Sequence, residues 1–285
     1  MKIVLTGATG FVGRHVVHAA RAQGHEVLAL VRDVDAAGRV PWLRATALSR
    51  ADMDAPPTDW TERLRGADAV IHLAWTGLPN YRSLAHLDTY LPQQIAFLKG
   101  LVAGGVGRLV VTGTCLEYGM AEGELAETCT PAPTVPYAIA KNVLRQYLEA
   151  WCRERGTSLR WARLFYMFGE GQNPNSLLAQ LDRAIDAGEP TFNMSGGEQL
   201  RDYLPVTQVA RHLIALAAHE SFEGIVNVCS GEPISVRRLV ERHIAARGAG
   251  IVPNLGHYPY LDYEPRAFWG SARTLGSLET RRDAT

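Results

Sequence analysis

A tyrosine and a lysine four positions apart, Tyr137 and Lys141, are the pair in this sequence with the clearest capacity for chemistry. At this spacing two side chains share one face of a helix. A phenol normally loses its proton near pH 10, and a neighbouring ammonium stabilises the phenolate, so such a tyrosine can exchange a proton near neutral pH. The pair predicts a general acid or base, although two ordinary surface residues would give the same spacing.

A hydroxyl group precedes this pair at the end of an apolar run. The segment VVTGT at 110–114 predicts a strand that ends in Thr114. A hydroxyl at that position can bond the substrate oxygen to which the tyrosine gives its proton. We therefore predict a catalytic set of Thr114, Tyr137 and Lys141.

The segment GATGFVG at 7–13 has the spacing GxxGxxG, directly after one apolar run and directly before a helical pattern. Gly7 permits a tight turn, Gly10 lets the backbone approach a pyrophosphate, and Gly13 lets the helix pack against the strand. The helix amino terminus supplies amide donors and partial positive charge. The alternative is a glycine-rich structural turn, but the strand–turn–helix context favours a dinucleotide site.

The end of the second predicted strand bears on the choice of dinucleotide. NAD-preferring sites place an acidic residue there to bind the ribose hydroxyls, whereas this chain has Val31 followed by Arg32. An arginine offers positive charge to a 2′-phosphate, so we expect NADP(H) to be favoured, with NAD(H) possible. The alternative is that Arg32 is a solvated loop cation and that Asp33 turns in instead.

Apolar runs alternate with amphipathic segments through the first two thirds of the chain, which predicts a doubly wound α/β fold with a parallel (Rossmann) sheet. The predicted strands are Ile3–Leu5, Val27–Val31, Ala69–Ala74, Leu109–Thr112 and Leu159–Phe165. After about Gly169 turn-forming residues cluster. We expect residues 1–168 to form the dinucleotide domain and 169–285 mainly a smaller substrate-binding portion, with some later elements returning to the first domain.

Composition limits the partners. The chain has 285 residues, of which 47% are hydrophobic, and 29 basic side chains balance 29 acidic ones. Without a basic excess we expect neither nucleic acid nor a membrane as partner. The four cysteines are scattered and indicate neither a zinc site nor a disulfide framework, so no metal is expected. No apolar run has the length of a signal peptide or a membrane span, and a cytoplasmic location is expected.

Several segments together resemble the nucleotide-sugar branch of the extended short-chain dehydrogenase/reductase family, over nearly the whole chain. They are TGATGFVG at 6–13, Asp52-Met53, HLAW at 72–75, TCLEYG at 114–119, YAIAK at 137–141, RLFYMFGEGQ at 163–172, NSL at 175–177 and RDY at 201–203. The resemblance implies a nucleotide-diphosphate sugar as substrate. It also implies a homodimer that pairs helices over Leu84–Val102 and Tyr137–Cys152.

Site residues follow from the same resemblance. The implied cofactor contacts are Gly7, Gly10, Phe11, Val12, Gly13, Arg32, Asp52, Met53, Leu73, Ala74, Trp75, Tyr137 and Lys141. The implied substrate contacts are Thr114, Tyr137, Asn175, Leu177, Phe192 and Arg201. A guanidinium suits a diphosphate, but Arg201 could instead form a surface pair with Asp202, and Phe192 could be a core residue.

The residues beside Thr114 bear on the reaction, because this family includes dehydratases, epimerases and ketoreductases. Dehydratases carry an Asp and a Glu directly after the catalytic Thr, where this chain has Cys115 and Leu116. Glu117, one residue further, would point elsewhere if the strand continued. The chain most resembles 4-ketoreductases of deoxysugar biosynthesis in TGTCLEYG at 112–119, HLAWTGLPNY at 72–81 and EPRAFWGS at 264–271. An epimerase with retained NAD and a non-catalytic NADP-binding sensor are the alternatives.

Overall fold

The chain forms an α/β fold, and the computed structural model describes residues 1–260 and 262–282. The strands are β1 (Lys2–Thr6), β2 (Glu26–Val31), β3 (Ala47–Arg50), β4 (Ala69–His72), β5 (Arg108–Thr114), β6 (Gly123–Leu125), β7 (Ser158–Leu164), β8 (Tyr166–Phe168), β9 (Thr191–Asn193), β10 (Leu200–Pro205), β11 (Gly224–Val228), β12 (Pro233–Ser235), β13 (Val252–Asn254) and β14 (Phe268–Gly270).

Helices of various lengths connect these strands. They are α1 (Phe11–Ala22), α2 (Val34–Gly38), α3 (Trp60–Arg63), α4 (Leu91–Ala103), α5 (Pro136–Arg155), α6 (Leu177–Asp186), α7 (Val206–Ala218), α8 (Val236–Arg247) and α9 (Arg273–Arg282). A π-helical turn at His86–Tyr90 precedes α4, and 3₁₀ turns lie at Pro41–Leu43 and Cys115–Tyr118. No helix in the described part of the chain has the length and apolarity needed to cross a membrane.

The largest sheet has seven strands in the order β3-β2-β1-β4-β5-β7-β11, all parallel. The prediction of a doubly wound parallel sheet is therefore confirmed. From β1 the chain adds β2 and β3 on one side of the sheet, and it then adds β4, β5, β7 and β11 on the other side. The order of the strands therefore reverses between β1 and β4. In such sheets ligands bind beyond the carboxyl ends of the strands at this point, which is where the glycine segment 7–13 begins.

Both faces of the sheet are covered, which explains the continuous apolar strands. One face packs on α1 and α7, and the other packs on α4 and α5. The strand cores of β1 and β4 are fully buried. Their β-branched residues consequently alternate between two apolar layers, and the strand ends are held rigidly where the site forms.

A smaller apolar cluster joins α6 and α8 with β9 and β13 beside the carboxyl edge of the sheet. Two later elements return to the main sheet, since β11 pairs with β7 and α7 packs against α1. The strand β10 pairs with both β8 and β12 and so links the two parts. The boundary at residue 168 stays a prediction.

Candidate active site

A cavity of about 750 Å³ lies at the carboxyl ends of the central strands, between the sheet and the smaller cluster. It brings together most of the residues that the sequence assigned to a site. Those that line it are Gly7, Gly10, Phe11, Val12, Gly13, Leu73, Trp75, Thr114, Tyr137, Lys141, Leu177, Phe192 and Arg201. One continuous cavity thus joins the glycine loop, the catalytic set and the predicted substrate contacts.

Five assigned residues do not line this cavity: Arg32, Asp52, Met53, Ala74 and Asn175. Arg32 is exposed at the end of β2. Ala74 acts through its backbone, which donates to the Thr6 hydroxyl. Asn175 is exposed in a turn, where its amide donates to the Asn173 side chain, and nothing in the geometry directs it at the cavity.

The remaining two residues lie beside the carboxyl edge near β3. The Asp52 carboxylate accepts from the Asp54 amide at 3.1 Å, and the Met53 sulfur accepts from the Gln94 amide at 3.1 Å. Both side chains are half-buried. Their contacts fit a structural role as well as a place beside an adenine ring, so the adenine contact stays a prediction.

The glycine loop requires its glycines for two different reasons. Gly7 has a φ of +71°, a conformation that L side chains rarely adopt. Gly13 faces the loop itself, because a Cβ placed there would lie 2.0 Å from the Gly7 carbonyl oxygen. The loop and α1 can therefore pack closely only while position 13 lacks a side chain.

Gly13→Ala is expected to force the loop away from α1, lower the free energy of unfolding by about 1–3 kcal/mol and weaken NAD(P)H binding. Urea unfolding and a fluorescence titration with NADPH measure the two effects. Gly107→Ala is the matched control, since a Cβ at Gly107 meets nothing within 4 Å. Equal behaviour of the two variants would contradict this role for Gly13.

The amino terminus of α1 fits a dinucleotide phosphate. Gly10 precedes the helix, and among the described side chains none caps the helix at this position. The amides of the first turn lack intrahelical acceptors, and the residues that carry them, Phe11, Val12 and Gly13, line the cavity. A Cβ at Gly10 would touch only the Gly7 oxygen at 3.4 Å, so a phosphate can approach the backbone from the cavity side.

A buried polar network supports the loop from beneath, and sequence reasoning missed it. The Thr6 hydroxyl accepts from the Leu73 and Ala74 amides and bonds His72 Nδ1 at 2.9 Å. His72 Nε2 in turn lies 2.7 Å from Gln94 Oε1. Burial lowers the pKa of His72 to about 3, so the ring is neutral and donates from Nε2. The network fixes the turn after β4 against Gly7.

Tyr137 and Thr114 both line the cavity. The two residues are buried, with exposures of 8% and 7%. Burial is the main cause that raises the pKa of Tyr137 above its ordinary value. The phenol therefore holds its proton at neutral pH and can donate it to an oxygen placed beside Thr114.

Lys141 differs from the expectation in one respect. Its ammonium donates to the Thr112 carbonyl at 2.8 Å and lies 5.9 Å from the centroid of the Tyr137 ring. The sequence predicted an ammonium that lowers the tyrosine pKa, whereas burial raises that pKa and lowers the pKa of Lys141 to about 7. Depth in the protein, which spacing alone does not reveal, dominates both groups.

Known proteins with similar sequences and folds identify the family. The model of the NAD dependent epimerase/dehydratase family matches residues 3–229. The chain belongs to this family. It is 31% identical over 276 residues to the dTDP-6-deoxy-L-talose 4-dehydrogenase (NAD(+)) of Aggregatibacter actinomycetemcomitans, covering 95% of this chain and 100% of that relative.

A second relative and one solved structure are also similar to this chain. The dTDP-6-deoxy-L-talose 4-dehydrogenase (NAD(P)(+)) of Kitasatospora kifunensis is 31% identical over 257 residues, covering 87% of this chain and 79% of the relative. The structure of MoeE5 in complex with UDP-glucuronic acid and NAD has a TM-score of 0.80 and 27% identity, covering 98% of this chain and 92% of MoeE5.

Glu117 is turned away from the cavity of this epimerase/dehydratase-family chain. The strand β5 ends at Thr114, as predicted, and the chain then enters a 3₁₀ turn, so the condition of a continuing strand does not hold. The fully buried Glu117 carboxylate accepts from the Thr114 amide, the Trp161 indole and Arg163 Nε at 2.8–3.0 Å. It therefore holds the strand end instead of acting on substrate.

Arg201 is buried, and the alternative of a surface pair with Asp202 is wrong. Its Nη2 donates to Glu264 at 2.9 Å and its Nη1 donates to the Leu200 carbonyl at 2.8 Å. Asp202 instead accepts from backbone amides of Ser230 and Gly231. Sequence reasoning missed Glu264, whose signal was its place at the start of EPRAFWGS in the family-like carboxyl segment.

Phe192 and Cys115 are both buried at the wall of the cavity. Phe192 is 7% exposed; it lines the cavity and packs in the α6/α8 cluster, and its contact with the substrate stays a prediction. Cys115 is buried beside Thr114, and burial raises the pKa of its thiol. The thiol is therefore neutral and acts as an apolar wall of the cavity.

Proposed function

We propose that this chain reduces the 4-keto group of a nucleotide-linked 4-keto-6-deoxyhexose with NAD(P)H. One observation carries the proposal: the buried Thr114 and Tyr137 line the same cavity and are flanked by the neutral Cys115 and by Leu116. Tyr137 is therefore placed to give a proton to an oxygen in this cavity, and the two positions directly after Thr114 carry neither an acid nor a base for elimination of water. This arrangement favours reduction over dehydration.

Each residue of the set has a defined part. The glycine loop and Lys141 would hold the nicotinamide dinucleotide, which would supply a hydride for the C4 carbon when bound. Tyr137 gives its phenolic proton to the oxygen of that carbon, and the carbonyl becomes a hydroxyl. Thr114 bonds the same oxygen and holds it at the phenol. Lys141, fixed at the Thr112 carbonyl, binds the nicotinamide ribose, and its ammonium offsets the charge left on Tyr137.

The substrate class follows from the relatives together with Arg201. We infer that dTDP-4-dehydro-L-rhamnose is reduced to dTDP-6-deoxy-L-talose, since two relatives at 31% identity are named as dTDP-6-deoxy-L-talose 4-dehydrogenases. In this assignment Arg201 binds the diphosphate, while Leu177 and Phe192 face the nucleoside. Asn175 stays a predicted contact near the diphosphate.

A substrate panel tests the proposal. NADPH and NADH consumption is followed against the dTDP-, CDP- and GDP-linked 4-keto-6-deoxyhexoses at equal concentration. The proposal predicts the highest kcat/KM with the dTDP-linked 4-keto sugar. Interconversion of sugar nucleotides without net cofactor consumption would instead assign an epimerase that retains NAD, and binding without turnover would assign a sensor.

Arg32 is our candidate for the preference between NADPH and NADH. It is exposed directly after β2, the strand that pairs with β1 ahead of the glycine loop, while Asp33 accepts from the Ala36 amide at 3.0 Å and caps α2. We expect Arg32→Ser to lower kcat/KM for NADPH by about tenfold and to leave that for NADH nearly unchanged. Arg153→Ser on the exposed end of α5 is the charge-matched control. Equal losses with both cofactors would contradict this role of Arg32.

We also propose a homodimer built on α4 and α5 in a cytoplasmic protein, as the family resemblance implies. The two helices pack side by side; α4 begins at Leu91, after the π-helical turn at His86–Tyr90, whereas the sequence predicted one helix from Leu84. Light scattering coupled to size exclusion tests the stoichiometry, and a monomeric mass at micromolar concentration would exclude the dimer.

A further inference from the structure

The ammonium of Lys141 lies against an indole ring. Lys141 Nζ is 4.1 Å from the centroid of Trp75, and the lysine side chain is almost completely buried. The face of an indole attracts a cation through its quadrupole, and this attraction is strongest where water is excluded. The proposed function gives Lys141 a place at the ribose and holds its ammonium at the neutral carbonyl of Thr112.

The indole is itself fixed by a histidine. Trp75 Nε1 donates to His86 Nδ1 at 3.0 Å, and His86 is fully buried. Because Nδ1 accepts, the ring proton of neutral His86 is on Nε2, which donates to the Asn80 carbonyl at 2.9 Å. Both nitrogens of the imidazole are satisfied, so the ring and the indole hold one orientation.

The same two rings pack on the catalytic phenol. Trp75 lies 5.7 Å and His86 lies 5.3 Å from Tyr137 between ring centroids, in edge-to-face geometry. His86 begins the π-helical turn, and a Cβ at Gly77 would lie 2.6 Å from the Tyr90 ring. The loop therefore closes tightly over the histidine and holds it against the site.

We propose that Trp75 and His86 form a positioning unit for Lys141, in which His86 orients the indole and the indole face holds the lysine ammonium beside Tyr137. The unit extends the proposed function, and its role in catalysis rests on that function. Trp75 and His86 are positioning residues, because they act on the reaction through Lys141 and Tyr137.

The titratable groups named around Lys141 are either neutral or already paired, so the indole face is the group that holds the ammonium. Burial lowers the lysine pKa, and the carboxylate of Glu117 on the 3₁₀ turn acts in the opposite direction. That carboxylate is already paired with Arg163. His72, at the end of β4, is neutral, and Tyr137, one helical turn before Lys141, is protonated.

The sequence offers a direct measurement, because the chain has three lysines: Lys2, Lys99 and Lys141. Protein labelled with ¹³C at lysine Cε gives three signals whose shifts follow the charge of each amine. A Lys141→Arg variant assigns the third signal. Lys2 and the exposed Lys99 serve as internal controls, and no substrate or cofactor is present, so the outcome is independent of the reductase assay.

We expect Trp75→Leu to lower the titration midpoint of Lys141 by about 0.5–1.5 pH units, because the charged amine loses the ring face. Trp75→Phe keeps an aromatic face and is expected to lower it less. His86→Phe removes the acceptor of the indole N–H and is expected to lower the midpoint as well. The Lys2 and Lys99 midpoints should not move.

An unchanged or higher Lys141 midpoint in folded Trp75→Leu protein would overturn the role of the indole. An unchanged midpoint in His86→Phe would overturn the role of the histidine. Circular dichroism and thermal unfolding establish that each variant is folded, and a merely structural role would change thermal stability without moving the midpoint.

Discussion

Tyr137→Phe is expected to lower kcat for ketone reduction by about 10²- to 10⁴-fold, which is the usual contribution of general acid catalysis. The phenol hydroxyl is the proposed proton donor and lines the cavity together with Thr114, and phenylalanine removes it without changing the ring. The aromatic contacts with Trp75 and His86 remain, so the binding site keeps its shape.

The Kd for NADPH is expected to stay close to that of the wild-type protein, which a fluorescence titration measures beside the kinetics. Tyr147→Phe makes the same change about three turns further along α5, at a residue that does not line the cavity. A Tyr137→Phe protein that binds cofactor and keeps more than about a tenth of the wild-type kcat would exclude Tyr137 as the proton donor.

Glu117→Ala is expected to lower the free energy of unfolding by about 3–5 kcal/mol, because it leaves the Arg163 guanidinium buried without its counter-charge. Both side chains have zero exposure, and their atoms are 2.8 Å apart. The substitution also removes the acceptor of the Trp161 indole and of the Thr114 amide. Urea unfolding at neutral pH measures the loss.

A surface ion pair supplies the control for this substitution. Glu241 pairs with Arg237 on α8 at 2.7 Å, with about half of each side chain exposed. Glu241→Ala should change the free energy of unfolding by no more than about 0.5 kcal/mol, since exposed pairs contribute little. A loss below 1 kcal/mol for Glu117→Ala, comparable with that control, would mean that the buried pair does not hold the end of β5.

The framework of the site was readable from the sequence because it depends on short-range patterns. The glycine spacing at 7–13, the β-branched runs and the YxxxK helix each lie within one or two adjacent elements. The parallel topology then brings these segments together, because the carboxyl ends of neighbouring parallel strands meet at one edge of the sheet. Gly13 and Thr114 consequently border the same cavity although 101 positions separate them.

The state of each charge could not be read in the same way, because it depends on partners far away in the chain. Glu117 turns inward to meet Arg163, which stands 46 residues later on another strand. Arg201 pairs with Glu264, which stands 63 residues later. This carboxylate offsets part of the positive charge that the guanidinium would present to a diphosphate. Spacing predicts which face a residue occupies, whereas burial and pairing decide its pKa and its chemistry.

The most direct measurement of the central claim follows deuterium from the cofactor into the sugar. The protein is incubated with dTDP-4-dehydro-L-rhamnose and NADPH or NADH deuterated at the transferring position of nicotinamide C4, and the product is examined by NMR. A ketoreductase predicts one cofactor oxidised per sugar reduced, with deuterium on C4 of a 6-deoxytalose product. An altered sugar with no deuterium and no cofactor consumed would contradict it.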